Sequence, residues 1–133
     1  MTALLDTSVV VRYLTGDPPR LAAQAADIID GNEPLALTDV VVAETAYVLA
    51  SVYGVARAEL ADAMIGFLQK RNVSVAGLDK GIVIQALMMT RPSKRVSFAD
   101  AMVWAAARSA EAPVYSLDDR FPDDGIRVQR SRS

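Results

Sequence analysis

The stretch Thr2-Ala3-Leu4-Leu5-Asp6-Thr7-Ser8-Val9-Val10-Val11-Arg12-Tyr13-Leu14 decides the fold. Thr2 to Leu5 is short and mostly apolar, as a buried strand is. Thr7 and Ser8 offer capping hydroxyls for a helix from Val9 to Leu14, and Asp6 stands at the junction. A strand that hands over at once to a helix is the first half of a strand–helix–strand unit.

The same alternation runs on outward from this segment. A turn at Thr15-Gly16-Asp17-Pro18-Pro19 leads to a helix over 20–30 that Gly31-Asn32 stops. Pro34 to Thr38 reads as a second strand, followed by a helix over 39–53 that ends at Gly54. Leu60, Met64, Phe67 and Leu68 give 57–70 an apolar face at helical spacing. Val73 to Ala76 alternates as a third strand, and Asp79 caps a helix through Met89. Ser97 opens a helix over 98–111, Pro113 to Leu117 is a fourth strand, and 126–128 a fifth. The expectation is an α/β fold: three α/β/α layers around a central, mostly parallel sheet of about five strands. Its 133 residues are read as one domain, with Arg130 to Ser133 as a mobile tail.

Composition narrows the function. The chain is 52% hydrophobic and its mean hydropathy is +0.22, so apolar surface is expected to face another subunit or a partner. No run approaches the roughly 20 apolar residues of a membrane span. No basic segment precedes Asp6, which points to the cytoplasm rather than to secretion. There is no Cys and no His. Disulfides, thiolate chemistry, imidazole bases and Ser-His-Asp triads are thereby excluded. An oxygen-only ligand set suits Mg²⁺ or Mn²⁺. Net charge is −2, so no global basic field advertises nucleic-acid binding.

Three carboxylates stand alone in apolar surroundings: Asp6, Glu44 between Val40 and Ala56, and Asp100 between Val96 and Ala107. None has a Lys or Arg at i±3 or i±4. A buried, unpaired carboxylate costs several kcal/mol, so such positions call for compensation, and a shared cation supplies it. Asp118 follows the fourth strand as Asp6 follows the first. In a parallel sheet both project beyond the carboxyl ends of the strands, where ligands gather. Each residue also has a plainer reading. Asp6 can close a turn, Glu44 can be a solvated helix residue, and Ser97-Phe98-Ala99-Asp100 fits a capping box. Asp118 and Asp119 can be loop residues. Trp104, Met88 and Met89 are read as core.

Four segments, in order, resemble the PIN-domain toxins of the VapC type: Leu4 to Leu14, Val41-Val42-Ala43-Glu44-Thr45, Ser97-Phe98-Ala99-Asp100-Ala101, and Val114-Tyr115-Ser116-Leu117-Asp118. The resemblance spans nearly the whole chain. It implies an endoribonuclease dependent on Mg²⁺ or Mn²⁺, with Asp6, Glu44, Asp100 and Asp118 as catalytic metal ligands. Asp119 is the second choice for the last of them. It further implies Ser8 and Ser116 orienting those ligands, a homodimer, an RNA substrate, and neutralisation by a VapB-type antitoxin. Arg12, Arg91, Lys94 and Arg95 are the candidates for the RNA backbone. The chain departs from the pattern at Ser97, where many relatives carry an acid, and at Asp119, where many carry a base. The choice between Asp118 and Asp119, and between one metal and two, stays open.

Phosphotransfer through an aspartyl-phosphate also uses an Asp after the first strand. It wants a second acid where Ser8 stands, or a late Lys where Asp118 stands. A catalytically weak PIN-fold module that binds RNA or protein without cutting is the non-enzymatic alternative.

Overall fold

The computed structural model describes residues 1–132. Asp6, with extended backbone, caps the first helix: its carboxylate accepts from the amides of Ser8 and Val9. The helix therefore begins at Thr7, two residues before the expected Val9, and the cap is Asp6 itself rather than Thr7 or Ser8. The chain runs β1 (Ala3–Leu4), α1 (Thr7–Thr15), α2 (Pro19–Ile29), β2 (Leu35–Leu37), α3 (Asp39–Ser51), α4 (Arg57–Leu68), β3 (Val73–Val75), α5 (Lys80–Thr90), α6 (Phe98–Ala110), β4 (Val114–Tyr115) and β5 (Val128–Gln129).

Local chemistry sets these limits. Thr38, Asp79 and Ser97 each accept an amide of the following first turn with the side chain, so α3, α5 and α6 begin where a capping oxygen is available. Gly16 ends α1 with φ of 69°, a left-handed conformation that a side chain would strain.

All strand pairs are parallel, as the alternation of strands and helices requires. The expected five strands are present, but they form two sheets, β1-β2-β3 and β4-β5. Within the first, Leu35, Ala36 and Leu37 of the central strand are all buried, covered from both faces. β1 is an edge, and its two residues are exposed instead of buried as expected. With one side unpaired, Leu4 stays 66% accessible.

One apolar core joins the layers, drawing Leu37, Val42, Leu60, Met64, Leu68, Val83, Leu87 and Trp104 from the sheet and helices. The Trp104 indole is buried and donates to the Asp124 carbonyl at 2.9 Å, so the expected packing role is met. Met88 is different: it is 52% exposed, because it sits on the outer face of α5 while Leu87 points inward. No helix among the described residues is long and apolar enough to cross a membrane. At the chain's end Arg130 pairs with Asp119 at 2.8 Å, and Ser133, part of the segment read as a tail, lies outside the described residues.

Candidate active site

Helix α3 packs against both α1 and α6. The helix that carries Glu44 therefore neighbours both the helix that Asp6 caps and the helix that carries Asp100, although the residues are dispersed in sequence. Asp6 follows β1 directly, at the N-terminus of α1.

Asp6 is held by three donors, all on Oδ1: the Ser8 amide at 2.9 Å, the Ser8 hydroxyl at 2.6 Å and the Val9 amide at 3.3 Å. The Ser8 hydroxyl is the chief cause that holds the Asp6 carboxyl below its usual range, with the Val9 amide next. Oδ2 receives no donor from the described residues. Glu44 accepts a hydrogen bond from the Thr7 hydroxyl, so the residue after Asp6 also anchors the second acid.

The capping box at α6 is half made. The Asp100 amide donates to Ser97 Oγ at 3.0 Å, but the Asp100 carboxylate makes no return bond, which leaves it free for other work. Asp118 takes the Arg120 amide on Oδ1 at 2.8 Å, and its own amide donates to Ser116 Oγ at 3.1 Å. Asp119 is engaged by Arg130. Among the described residues Asp118 thus keeps an oxygen without a donor, where Asp119 carries an ion pair.

The acids are less enclosed than their apolar sequence surroundings led us to expect. Asp6, Glu44 and Asp118 are exposed, and Asp100 is half-buried. Each stands at a cap, in an early helical turn or in a loop, so its charge meets solvent while the apolar neighbours turn inward. Burial cost is consequently small, and compensation by a cation is not forced on the fold. Among the described residues no group of three or more acids is arranged to hold a metal ion.

As chemistry the set still fits a hard divalent cation. The donors are all oxygen, and several receive no hydrogen bond from the described residues. Mg²⁺ is commonly held by one or two carboxylates, with waters and substrate phosphates completing its shell, so a closed protein cage is not needed. Asp6 and Glu44, joined through Thr7, are the pair best tied together.

Among the basic candidates, Arg91 is committed to Asp62 through two bonds of 2.9 and 3.1 Å. Arg12 contacts the Asp17 carbonyl and the Tyr53 hydroxyl, both at 3.4 Å. Lys94 and Arg95 are exposed. Lys94 lines a groove between α3 and α6 together with Glu44, Ser97 and Tyr47. Two residues with a part in this arrangement carry no functional signal in the sequence: Thr7 offers only a capping hydroxyl there, and Arg57 only a helix start.

The PIN domain family model matches residues 3–124, and the chain belongs to that family. PIN domains are in general nucleases, hydrolases that work with divalent metal ions. Among solved structures the chain is similar to VapC20 of Mycobacterium tuberculosis, described as a toxin that cleaves the sarcin-ricin loop. Identity is 21%, the TM-score is 0.45, and the match covers 95% of this chain and 96% of that one. No curated protein matches the chain.

Proposed function

We propose that this PIN domain is an endoribonuclease toxin of the VapC type, dependent on Mg²⁺ or Mn²⁺ and neutralised by a VapB-type antitoxin. The observation that carries the proposal is the Thr7–Glu44 hydrogen bond. It brings a second acid to the helix start that Asp6 caps, on the helix that also packs against the one carrying Asp100.

In this reading Asp6 and Glu44 hold the cation, and Asp100 and Asp118 complete the acidic site when RNA is present. The ion would supply Lewis-acid polarisation of a phosphate and acidify the attacking water, which suits a chain without a His base. Ser8 directs the Asp6 carboxylate by occupying Oδ1, and so presents Oδ2. Thr7 does the same for Glu44. Ser116 shapes the turn that carries Asp118. Lys94 and Arg95 receive the RNA backbone, and in-line hydrolysis leaves 5′-phosphate and 3′-hydroxyl ends.

The exposed apolar side chains Val40, Tyr47 and Val103 support the rest of the proposal. They form the kind of surface that a homodimer or an antitoxin covers, in a protein acting in the cytoplasm.

The non-enzymatic alternative, an RNA- or protein-binding module, is favoured by one observation: the acids are not pre-assembled around a common point. Cleavage of total cellular RNA by antitoxin-free protein decides between them. Discrete fragments with 5′-phosphates, lost in Asp6→Asn and in EDTA, are the result expected of the nuclease. RNA retained intact by protein that binds both it and Mn²⁺ would establish the binding module.

A further inference from the structure

Arg57, the first residue of α4, spans two other elements with one guanidinium. Its Nε donates to the carbonyl of Thr90, the last residue of α5, at 2.8 Å. Its Nη2 donates to the carbonyl of Val96, just before the cap of α6, at 2.7 Å. The guanidinium carbon lies 4.3 Å from the centroid of the Phe98 ring, in the first turn of α6. Both ends of segment 91–96 are therefore tied to the start of α4. Arg91 adds a bidentate pair to Asp62 on the same helix. Inside the loop, Ser93 Oγ accepts the Arg95 amide at 3.2 Å.

What this closed loop presents is two cations. Among the described residues neither the Lys94 nor the Arg95 side chain has an ion-pair partner, and both are exposed. Lys94 reaches the groove that Glu44, Ser97 and Arg57 itself also line. Arg57 is not the natural phosphate contact of the group. It is half-buried, one face is stacked on Phe98, and two donors already serve carbonyls. A planar fork can bridge two carbonyls and stack at once, where an ammonium cannot.

We propose that Arg57 is a positioning residue for RNA. By clamping both ends of segment 91–96 it holds Lys94 in place at the groove that Glu44 lines, with Arg95 next to it in the chain. This rests on the RNA reading above and adds to it which residue fixes the substrate path.

The test is binding, in EDTA so that nothing is cut, of the full chain to a short fluorescein-labelled single-stranded RNA over a range of salt concentrations. Wild type is compared with Arg57→Met, with the pair Lys94→Ala and Arg95→Ala, and with all three substitutions together. Arg57→Met is expected to weaken binding several-fold. It should also flatten the log–log salt dependence by up to about 1.4, at roughly 0.7 for each of two lost phosphate contacts. In the Lys94/Arg95-neutral background it is expected to cost nothing more, because it acts through those two residues. An equal loss in both backgrounds would overturn the proposal, since it would make Arg57 a direct contact or a general stabiliser. Should Arg57→Met not fold, Phe98→Leu weakens the same clamp and carries the same expectation. Wild type that binds while Arg57→Met binds equally well overturns the positioning role alone. Folded wild type that binds no RNA either in EDTA or, as a non-cleavable phosphorothioate, with Mn²⁺ present overturns the RNA reading, and the clamp's role falls with it.

Discussion

The Thr7 hydroxyl donates to the Glu44 carboxylate across 37 residues of chain, and this one bond ties α1 to α3 beside the Asp6 cap. Thr7→Val keeps the shape and removes the donor, while the cap, which Asp6 makes, survives. The expected result is a loss of roughly tenfold in Mn²⁺ affinity, and with it in RNA cleavage, as for other residues that orient a ligand. Stability should fall by less than about 1 kcal/mol, because the bond is solvent-exposed. Calorimetric Mn²⁺ titration with a parallel thermal melt separates the two. Unchanged Mn²⁺ affinity would detach Glu44 from the metal site.

Asp6 has two jobs that substitution can divide. As an N-cap it accepts two backbone amides, which Asn also does; as a metal ligand it needs negative charge, which Asn lacks. Asp6→Asn is therefore expected to melt like wild type yet cleave RNA on the order of 10²- to 10³-fold more slowly, several kcal/mol of lost transition-state stabilisation. Asp6→Ala should lose about 1 kcal/mol of stability as well. Denaturant melts beside single-turnover cleavage read both quantities. Equal activity in wild type and Asp6→Asn would leave Asp6 a cap alone.

The order of elements was legible because caps and apolar periods are local signals. Asp79 and Ser97 cap helices where the sequence predicts it, a side-chain oxygen before an apolar run, while Thr38, expected to end the second strand, caps α3. Strands came out shorter than read, Ala3–Leu4 against 2–5 and Val114–Tyr115 against 113–117, because strand length depends on partners distant in sequence. The division into two sheets has the same cause. The isolation of Asp6, Glu44 and Asp100 was also legible, but not their exposure: apolar neighbours in sequence do not reveal which way a helix start faces. Thr7 and Arg57 stayed hidden because their partners lie 37, 33 and 39 residues away.

An acidic site not gathered in advance should take up metal and RNA together. Mg²⁺ or Mn²⁺ is expected to bind the free protein weakly and to bind it more tightly when a non-cleavable phosphorothioate RNA is present. RNA affinity must then rise with metal by the same factor, because the coupling is reciprocal. Titrating Mn²⁺ with and without RNA, and RNA with and without Mn²⁺, measures both sides. Tight metal binding in the absence of RNA would show a cage that the acids build without help.

Tyr13, Asp30 and Lys70 join α1, the end of α2 and the segment after α4, with Tyr13 Oη at 2.7 Å and Lys70 Nζ at 3.1 Å from the same Asp30 oxygen. The Tyr13 hydroxyl, then Lys70, hold the Asp30 carboxyl below its ordinary 3.8. Its contribution to stability is therefore complete above that value and is lost as pH falls through the depressed one. The bond to Asp30 pushes Tyr13 above its ordinary 10.0 and Lys70 above 10.5. Their contributions are present below those values and disappear as pH rises through the raised ones. Tyr13→Phe retains the ring contact with Phe67, 5.8 Å between centroids, and deletes only the hydroxyl. The melting-temperature gap between wild type and Tyr13→Phe is expected to be widest near neutrality. It should shrink below about pH 4 and again above about pH 10. A gap that stays constant across that range would mean that the hydroxyl acts through packing and leaves the titration of Asp30 untouched.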